Sequence, residues 1–273
     1  MISGDKAETI EGGRGSDVLM GGGGSDNYKI GKGDTLDVTG AKVTGSYGVE
    51  GDVINEIGGS SDDKSDSITL SSAQNIDELT FLRTHIANEY WGNTLQIDVA
   101  YTGGGTDTLY VFDHYNQNFQ SRAVEQLFLD DGWDANEIWN LIVGDVNEAT
   151  GVDEYTGTAG QDVLLAGTVN STLYGGDGQD IMIGDTYGKE TTFELGNRDG
   201  AWDTVADIIE GFGSNDELDL SALNITSSDL AVSSNQLQLK SDNTVIAEFR
   251  NFNDGLTLQN LLDESGYIDY GAA

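Results

Sequence analysis

The chain has no cysteine, no proline, two histidines, and only 12 lysines and arginines against 48 aspartates and glutamates in 273 residues. Without cysteine there is no disulfide and no thiolate site for zinc or an iron–sulfur cluster. A formal net charge of −36 excludes nucleic acid as a partner, because phosphate binding needs clusters of Lys and Arg. No apolar run approaches the ~18 residues of a membrane-spanning helix, so no transmembrane segment is expected. Met1 to Glu11 lacks the apolar core of a signal peptide. Neither H-E-x-x-H nor G-x-S-x-G occurs, and the histidines His85 and His114 fall in strand-like segments where packing is the expected role. The four tryptophans, Trp91, Trp133, Trp139 and Trp202, are expected to pack in cores rather than line a sugar site. The chain is therefore not expected to be an enzyme.

Glycine and aspartate are abundant, and they recur in a fixed pattern. Gly12 to Met20 reads GGRGSDVLM, Gly21 to Lys29 reads GGGGSDNYK, and Gly175 to Ile183 reads GGDGQDIMI. Each fits G-G-x-G-x-D-x-U-x, where U is Leu19, Tyr28 or Met182. The glycines admit positive φ and close backbone approach, so the chain can turn sharply and aim carbonyl oxygens inward. The aspartate adds a carboxylate. An all-oxygen set suits a hard cation such as Ca²⁺. The x-U-x tail fits a short strand with one side chain facing in. A single unit cannot bury that side chain, but stacked units can. Degenerate copies extend both clusters: Ser3 to Glu11 has Glu8 at the Asp position, Thr35 takes that position after Gly31 and Gly33, and Gly157 to Leu165 keeps Gly160, Asp162 and Leu164. Ala166 to Tyr174 has Ser171 there, and after Gly184 the position falls on Lys189.

These blocks resemble the RTX (repeats-in-toxin) family of haemolysin-type calcium-binding repeats. The resemblance implies a right-handed parallel β-roll, each nonapeptide making half a turn, with several Ca²⁺ ions shared between one repeat and the next but one. It implies metal-site residues at Gly12, Arg14, Asp17, Gly21, Gly23 and Asp26 in the first cluster. In the second they are Gly157, Ala159, Gly160, Asp162, Gly175, Gly176, Asp177, Gly178 and Asp180, with Asp203 beyond. Under the next-but-one rule Asp162 pairs with Asp180, Asp26 with Glu8, and Asp17 with Thr35. Only the first of these pairs joins two aspartates, so it is the expected complete site.

The segment between the clusters reads differently. Leu79 to Ile86, Thr94 to Tyr101 and Thr106 to Asp113 alternate as antiparallel strands do, and Val124 to Leu129 reads as another strand. Asp134 to Val143 has an N-cap aspartate and helical apolar spacing at Ile138, Trp139, Leu141 and Ile142, which predicts a helix. LTFLR (79–83), GGTDTLYVFDHY (104–115) and VEQLFLDDGW (124–133) resemble the haemolysin-type calcium-binding-related module found beside such repeats. Trp202 to Leu223 resembles the end of the repeat region in secreted RTX proteases and lipases, with Asp203, Asp207, Asp216 and Asp219 in its acidic places. Leu256 to Asp263 reads as a short helix.

The expected fold is all-β: a parallel β-roll in two blocks (1–35 and 157–221), an inserted, mainly antiparallel β module (36–156) with one or two short helices in the chain, and a C-terminal cap (222–273). The terminal YIDYGAA resembles an uncleaved type I secretion signal, which implies an ABC transporter complex as partner during export. Two carboxylates about 4 Å apart oppose each other by roughly 4 kcal/mol at an effective dielectric near 20, so this composition resists compaction until cations arrive. The expectation is a chain that folds on binding calcium outside the cell, within a larger adhesin or toxin. Competing readings are a peptide- or glycan-binding module in 36–156 and the accessory region of a secreted hydrolase.

Overall fold

A computed structural model describes residues 6–35, 49–55, 66–71, 73, 75–84, 94–112, 114, 123–130, 137–142, 145–147, 151–185, 188–196, 205–263 and 266–271. The chain divides into two compact units, 1–143 and 144–273.

The first unit contains β1 (Thr9–Ile10), β2 (Val18–Leu19), β3 (Asn27–Gly31), β4 (Asp52–Ile54) and β5 (Ser67–Ser71). These are followed by β6 (Leu79–Thr84), β7 (Thr94–Ala100), β8 (Thr106–Val111), β9 (Gln126–Asp130) and β10 (Glu137–Ile142). The early strands alternate between two sheets, as a chain wound into a roll requires. One sheet runs β1-β3-β5-β9-β10, parallel until the last pair. The other runs β2-β4-β8-β7-β6, with β2-β4-β8 parallel and β8-β7-β6 antiparallel. The register stacks inward side chains in lines. Ile10, Tyr28, Ile68 and Leu127 lie abreast, and so do Leu19, Ile54 and Val111. All seven are essentially inaccessible to solvent.

The segment between the repeats thus does two things. It forms the antiparallel strands expected of it, and through β4, β5, β8 and β9 it also continues the roll in parallel. The helix expected over Asp134 to Val143 is absent: residues 137–142 form β10, antiparallel to β9, while 134–136 lie outside the described residues. Trp139 and Leu141 are buried whereas Ile138 is 44% exposed, a period of two rather than 3.6. The apolar residues at 138, 139, 141 and 142 fit both periods, and the otherwise open edge of β9 selects the strand.

In the second unit the strands are β11 (Asp145–Asn147), β12 (Val152–Thr156), β13 (Gln161–Leu165), β14 (Ser171–Tyr174), β15 (Ile181–Ile183) and β16 (Thr191–Glu194). They continue as β17 (Asp207–Glu210), β18 (Glu217–Asp219), β19 (Leu230–Ser233), β20 (Gln236–Leu239), β21 (Val245–Arg250) and β22 (Ile268–Asp269). From β12 to β18 successive strands again alternate between sheets. One stack is β13-β15-β17-β21, parallel throughout, then β20 and β19 antiparallel. The other is β12-β14-β16-β18-β22, parallel, with β11 antiparallel to β12. Leu164, Met182, Ile209 and Phe249 line up on one side, and Leu173, Phe193, Leu218 and Ile268 on the other. Phe212 bridges them, 5.6 Å from Phe193 and 6.0 Å from Phe249 between ring centroids. The helix expected at Leu256 to Asp263 forms over Leu258–Asp263 and buries Leu258 and Leu261. Among the described residues no helix is long and apolar enough to cross a membrane.

Candidate metal centre

Each consensus aspartate stands at a strand entry, and its backbone or its carboxylate is hydrogen-bonded to an acid at the entry of the neighbouring parallel strand. In the second unit the Asp162 N–H donates to Asp180 Oδ1 at 2.9 Å, and the Asp180 N–H donates to Asp207 Oδ1 at 3.1 Å. Asp162 and Asp180 have no accessible surface, and Asp207 is 5% exposed. Asp162 Oδ2 also accepts the Thr158 N–H at 2.5 Å. In the first unit the Glu8 N–H donates to Asp26 Oδ1 (2.9 Å), the Asp26 N–H to Asp66 Oδ1 (2.7 Å), and the Asp66 N–H to Glu125 Oε2 (2.9 Å). On the opposite sheet the Asp17 N–H donates to Asp52 Oδ1 at 2.9 Å.

The spacing rule placed Asp162 beside Asp180 and Asp26 beside Glu8, and the strands stand that way. Asp17 differs from expectation. Its neighbour is Asp52, because the strand that pairs with β2 on that sheet is β4. Thr35 instead donates its hydroxyl to Asp107 Oδ1 at 2.6 Å, and the Gly33 N–H donates to Asp107 Oδ2 at 2.7 Å. Asp203 lies outside the described residues.

The glycines of the second cluster are fixed by crowding. A Cβ on Gly178, at φ +118°, would sit 2.5 Å from the Gly160 carbonyl oxygen, and one on Gly157 would sit 2.7 Å from Asp162 Oδ2. A Cβ on Gly175 would overlap the Asp180 carboxylate, and one on Gly176 the Thr158 carbonyl. The Asp177 N–H donates to that carbonyl at 3.2 Å, and its side chain, like Ala159, faces solvent. In the first cluster a Cβ on Gly12 would meet Asp17 Oδ2 at 3.0 Å, while Arg14 is exposed. Gly21 and Gly23 are buried, and the Gly21 N–H donates to the Tyr28 hydroxyl at 2.7 Å.

The donor set fits a hard divalent cation. Among the described residues no three acidic or histidine side chains gather tightly enough to hold a metal by themselves, so an ion must draw on backbone carbonyls as well, as Ca²⁺ does with its six to eight oxygens. Those carbonyls approach the glycines of the adjacent turn. Asp17 Oδ2 and Asp52 Oδ2 are closed off from solvent and accept no hydrogen bond, a costly state for a carboxylate that a cation relieves. The residues that would hold calcium are the carboxylates of Asp162 and Asp180 with the carbonyls of turns 157–160 and 175–178, and those of Asp17 and Asp52 in the first unit.

Residues 2–35 and 156–186 match the RTX calcium-binding nonapeptide repeat, in four copies. The chain carries RTX calcium-binding repeats. Among solved structures the chain is similar to the extracellular lipase LipA from Serratia marcescens, at 20% identity and a TM-score of 0.25. The alignment covers 98% of this chain and 39% of the lipase, so the chain spans well under half of that protein. No curated protein matches the chain.

The RTX roll also holds acids that the consensus does not mark: Asp52, Asp66, Glu125 and Asp107. Their signal in sequence is an acid shortly ahead of two inward apolar residues, as in GDVI (51–54), SDSITL (65–70) and VEQLFL (124–129). Burial pushes the Asp52 carboxyl up to about 7; the Asp17 N–H opposes this, and the charges of Asp17, Asp34 and Asp107 add to it. Burial, with Asp185 adding, likewise raises Asp216 to about 6, against the N–H groups of Gly213 and Thr191. An unfolded aspartate titrates near ~3.9. Between about pH 4 and pH 7 the folded state therefore holds protons that the unfolded state has released, and stability falls as pH rises through that window. In excess chelator, acidifying from about pH 8 to pH 5.5 is expected to restore part of the β signal in far-UV circular dichroism, and Asp52→Asn to weaken that pH dependence. Identical spectra at the two pH values would contradict the sign. His114 is fully buried and accepts the Val124 N–H at Nδ1, 3.3 Å away. Burial, with Arg83 nearby, holds its ring at about 3, neutral at physiological pH. It is a packed side chain.

Proposed function

We propose that this chain is the calcium-binding RTX segment of a larger secreted protein, an adhesin or toxin, and that its work is type I export followed by calcium-triggered folding outside the cell. The observation that carries this reading is the stacking of buried carboxylates on successive strands in a chain of net charge −36. Such a stack opposes its own folding until cations neutralise it. Low-affinity extracellular calcium modules work at about 10⁻⁴ to 10⁻³ M, far above cytosolic calcium, so the chain stays extended for export. The reading gives the chain no catalytic role: neither H-E-x-x-H nor G-x-S-x-G occurs in it.

Calcium titration followed by circular dichroism tests this. Little β structure is expected in chelator, with a cooperative rise near millimolar calcium. A fully folded spectrum in excess chelator would sink the proposal.

A further inference from the structure

The nonapeptide pattern asks for aspartate at position 35, and the chain has threonine there. The turn of residues 31–35 is nevertheless closed by a carboxylate, supplied from 72 residues further along the chain. Asp107, the second residue of β8, accepts the Gly33 N–H on Oδ2 at 2.7 Å. Its Oδ1 accepts the Thr35 hydroxyl at 2.6 Å and the Thr35 N–H at 3.3 Å. Thr35 and Asp107 are 2% and 1% exposed, so water has no access to replace these bonds. Both oxygens of Asp107 are thus served by protein donors, whereas Asp17 and Asp52 each keep a buried oxygen without one.

Asp107 also stands apart from the stacked acids. The residue abreast of Asp52 on β8 is Leu109, and Asp107 lies two positions ahead of it. Its carboxylate serves the turn of the repeat rather than the stack. A second contact docks the same turn on the inserted strands. The Lys32 ammonium lies 5.0 Å from the centre of the Tyr101 ring, at the turn that joins β7 to β8, a favourable place for a cation. Neither contact uses a metal.

The docked turn leads directly to the Asp17–Asp52 pair. The Gly15 N–H, two residues before Asp17, donates to the Asp34 carbonyl at 2.7 Å. The Ser16 hydroxyl donates to the Gly51 carbonyl, next to Asp52. Gly51 in turn abuts β8: a Cβ there, at φ +137°, would drive into the Thr108 carbonyl, the neighbour of Asp107. The entries of β2 and β4 are therefore held on one side by the docked turn and on the other by β8.

We propose that Asp107 is a positioning residue for the Asp17–Asp52 site: supplied by the inserted strands in place of the missing aspartate, it closes the last turn of the first repeat block, so that this block gains its calcium affinity only once β7 and β8 have formed. The proposal rests on the reading of the chain as a calcium binder, but Asp107 acts through Gly33 and Thr35 and not on the ion. The insert is then a condition for calcium binding in the repeats before it, rather than a passenger between two blocks.

Hydrogen exchange read by mass spectrometry, on the full chain across a calcium titration, follows the two units separately. Asp107→Asn is expected to raise the calcium midpoint for protection of β2 and β4 by about three- to tenfold, and to leave that of β13 and β15 unchanged. Thr35→Asp distinguishes positioning from packing. Alone, it sets a second carboxylate against Asp107 and is expected to raise the first unit's midpoint. Combined with Asp107→Asn it returns the acid to its place in the repeat, and the midpoint is expected to come back to within about twofold of the unaltered chain's. A merely structural contact shows no such reversal of sign. Should Asp107→Asn fail to fold at any calcium concentration, Thr35→Val, which removes one donor, is read in its place, with an expected shift of about two- to threefold. An unchanged first-unit midpoint in both of these variants, a double variant no better than Asp107→Asn, or a lowered midpoint in Thr35→Asp alone overturns the proposal while leaving repeat binding intact. Absence of any calcium-dependent protection in the unaltered chain overturns the calcium reading as well.

Discussion

Asp180→Asn is expected to raise the calcium midpoint for folding by about 10- to 100-fold, more than any other single carboxylate change in the repeats. Asp180 stands between two other acids: its carboxylate takes the Asp162 N–H, and its own N–H goes to Asp207. Asparagine keeps an acceptor oxygen and the side-chain volume, so the change isolates the charge. A charged ligand or hydrogen bond is worth roughly 1.5–3 kcal/mol, and each 1.4 kcal/mol is tenfold in an equilibrium constant. Asp17 is half-buried, and its N–H goes to Asp52. Water can replace part of what Asp17→Asn removes, and a shift of about three- to tenfold is expected there. Far-UV circular dichroism against free calcium reads both midpoints. Equal midpoints would mean that burial between two acids confers no advantage.

In saturating calcium, Gly176→Ala is expected to lower the melting temperature by on the order of 10 °C, against a few degrees for Gly188→Ala. Both glycines sit at positive φ, +97° and +79°, so both substitutions carry the left-handed penalty of about 1–2 kcal/mol. They differ in space. A Cβ at Gly176 would drive into the Thr158 carbonyl of the preceding turn, whereas at Gly188 nothing lies within 4 Å. The first substitution must push two turns of the roll apart where a carbonyl is needed for the ion, and the second need only twist a loop. A differential thermal scan separates them. If both variants melt together, crowding between turns is not what fixes glycine in the repeat.

The roll was legible in the sequence because its repeat encodes each half-turn locally: glycine for the turn, an acid at the strand entry, one inward apolar residue. Leu19, Tyr28, Leu164 and Met182 are all buried as that pattern requires. The strands of 79–111 were legible too, through their alternation. The partners of the acids were less so. The spacing rule pairs Asp17 with Thr35 only if the chain keeps its nine-residue stride, and sixteen residues intervene between Thr35 and Asp52. A strand partner depends on which segment next joins the same sheet, and a local motif does not count the residues between the two strands. Trp139 shows the opposite limit. Its neighbourhood has apolar residues at spacings compatible with both helix and strand, and β9 decides between them.

The hydrogen bonds along the carboxylate stacks all point one way. The N–H of the earlier strand goes to the side chain of the later one, from Glu8 to Asp26 to Asp66 to Glu125, and from Asp162 to Asp180 to Asp207. The roll is therefore vectorial. Losing a coil from its beginning removes a donor, and the carboxylate left at the new end can turn to water. Losing one from its far end leaves a backbone N–H, which cannot rotate as a side chain can, without its carboxylate acceptor. Each coil is finished by the one that comes after it in the chain, so a roll assembled from its last coil backwards meets a completed template at every step, and one assembled forwards never does.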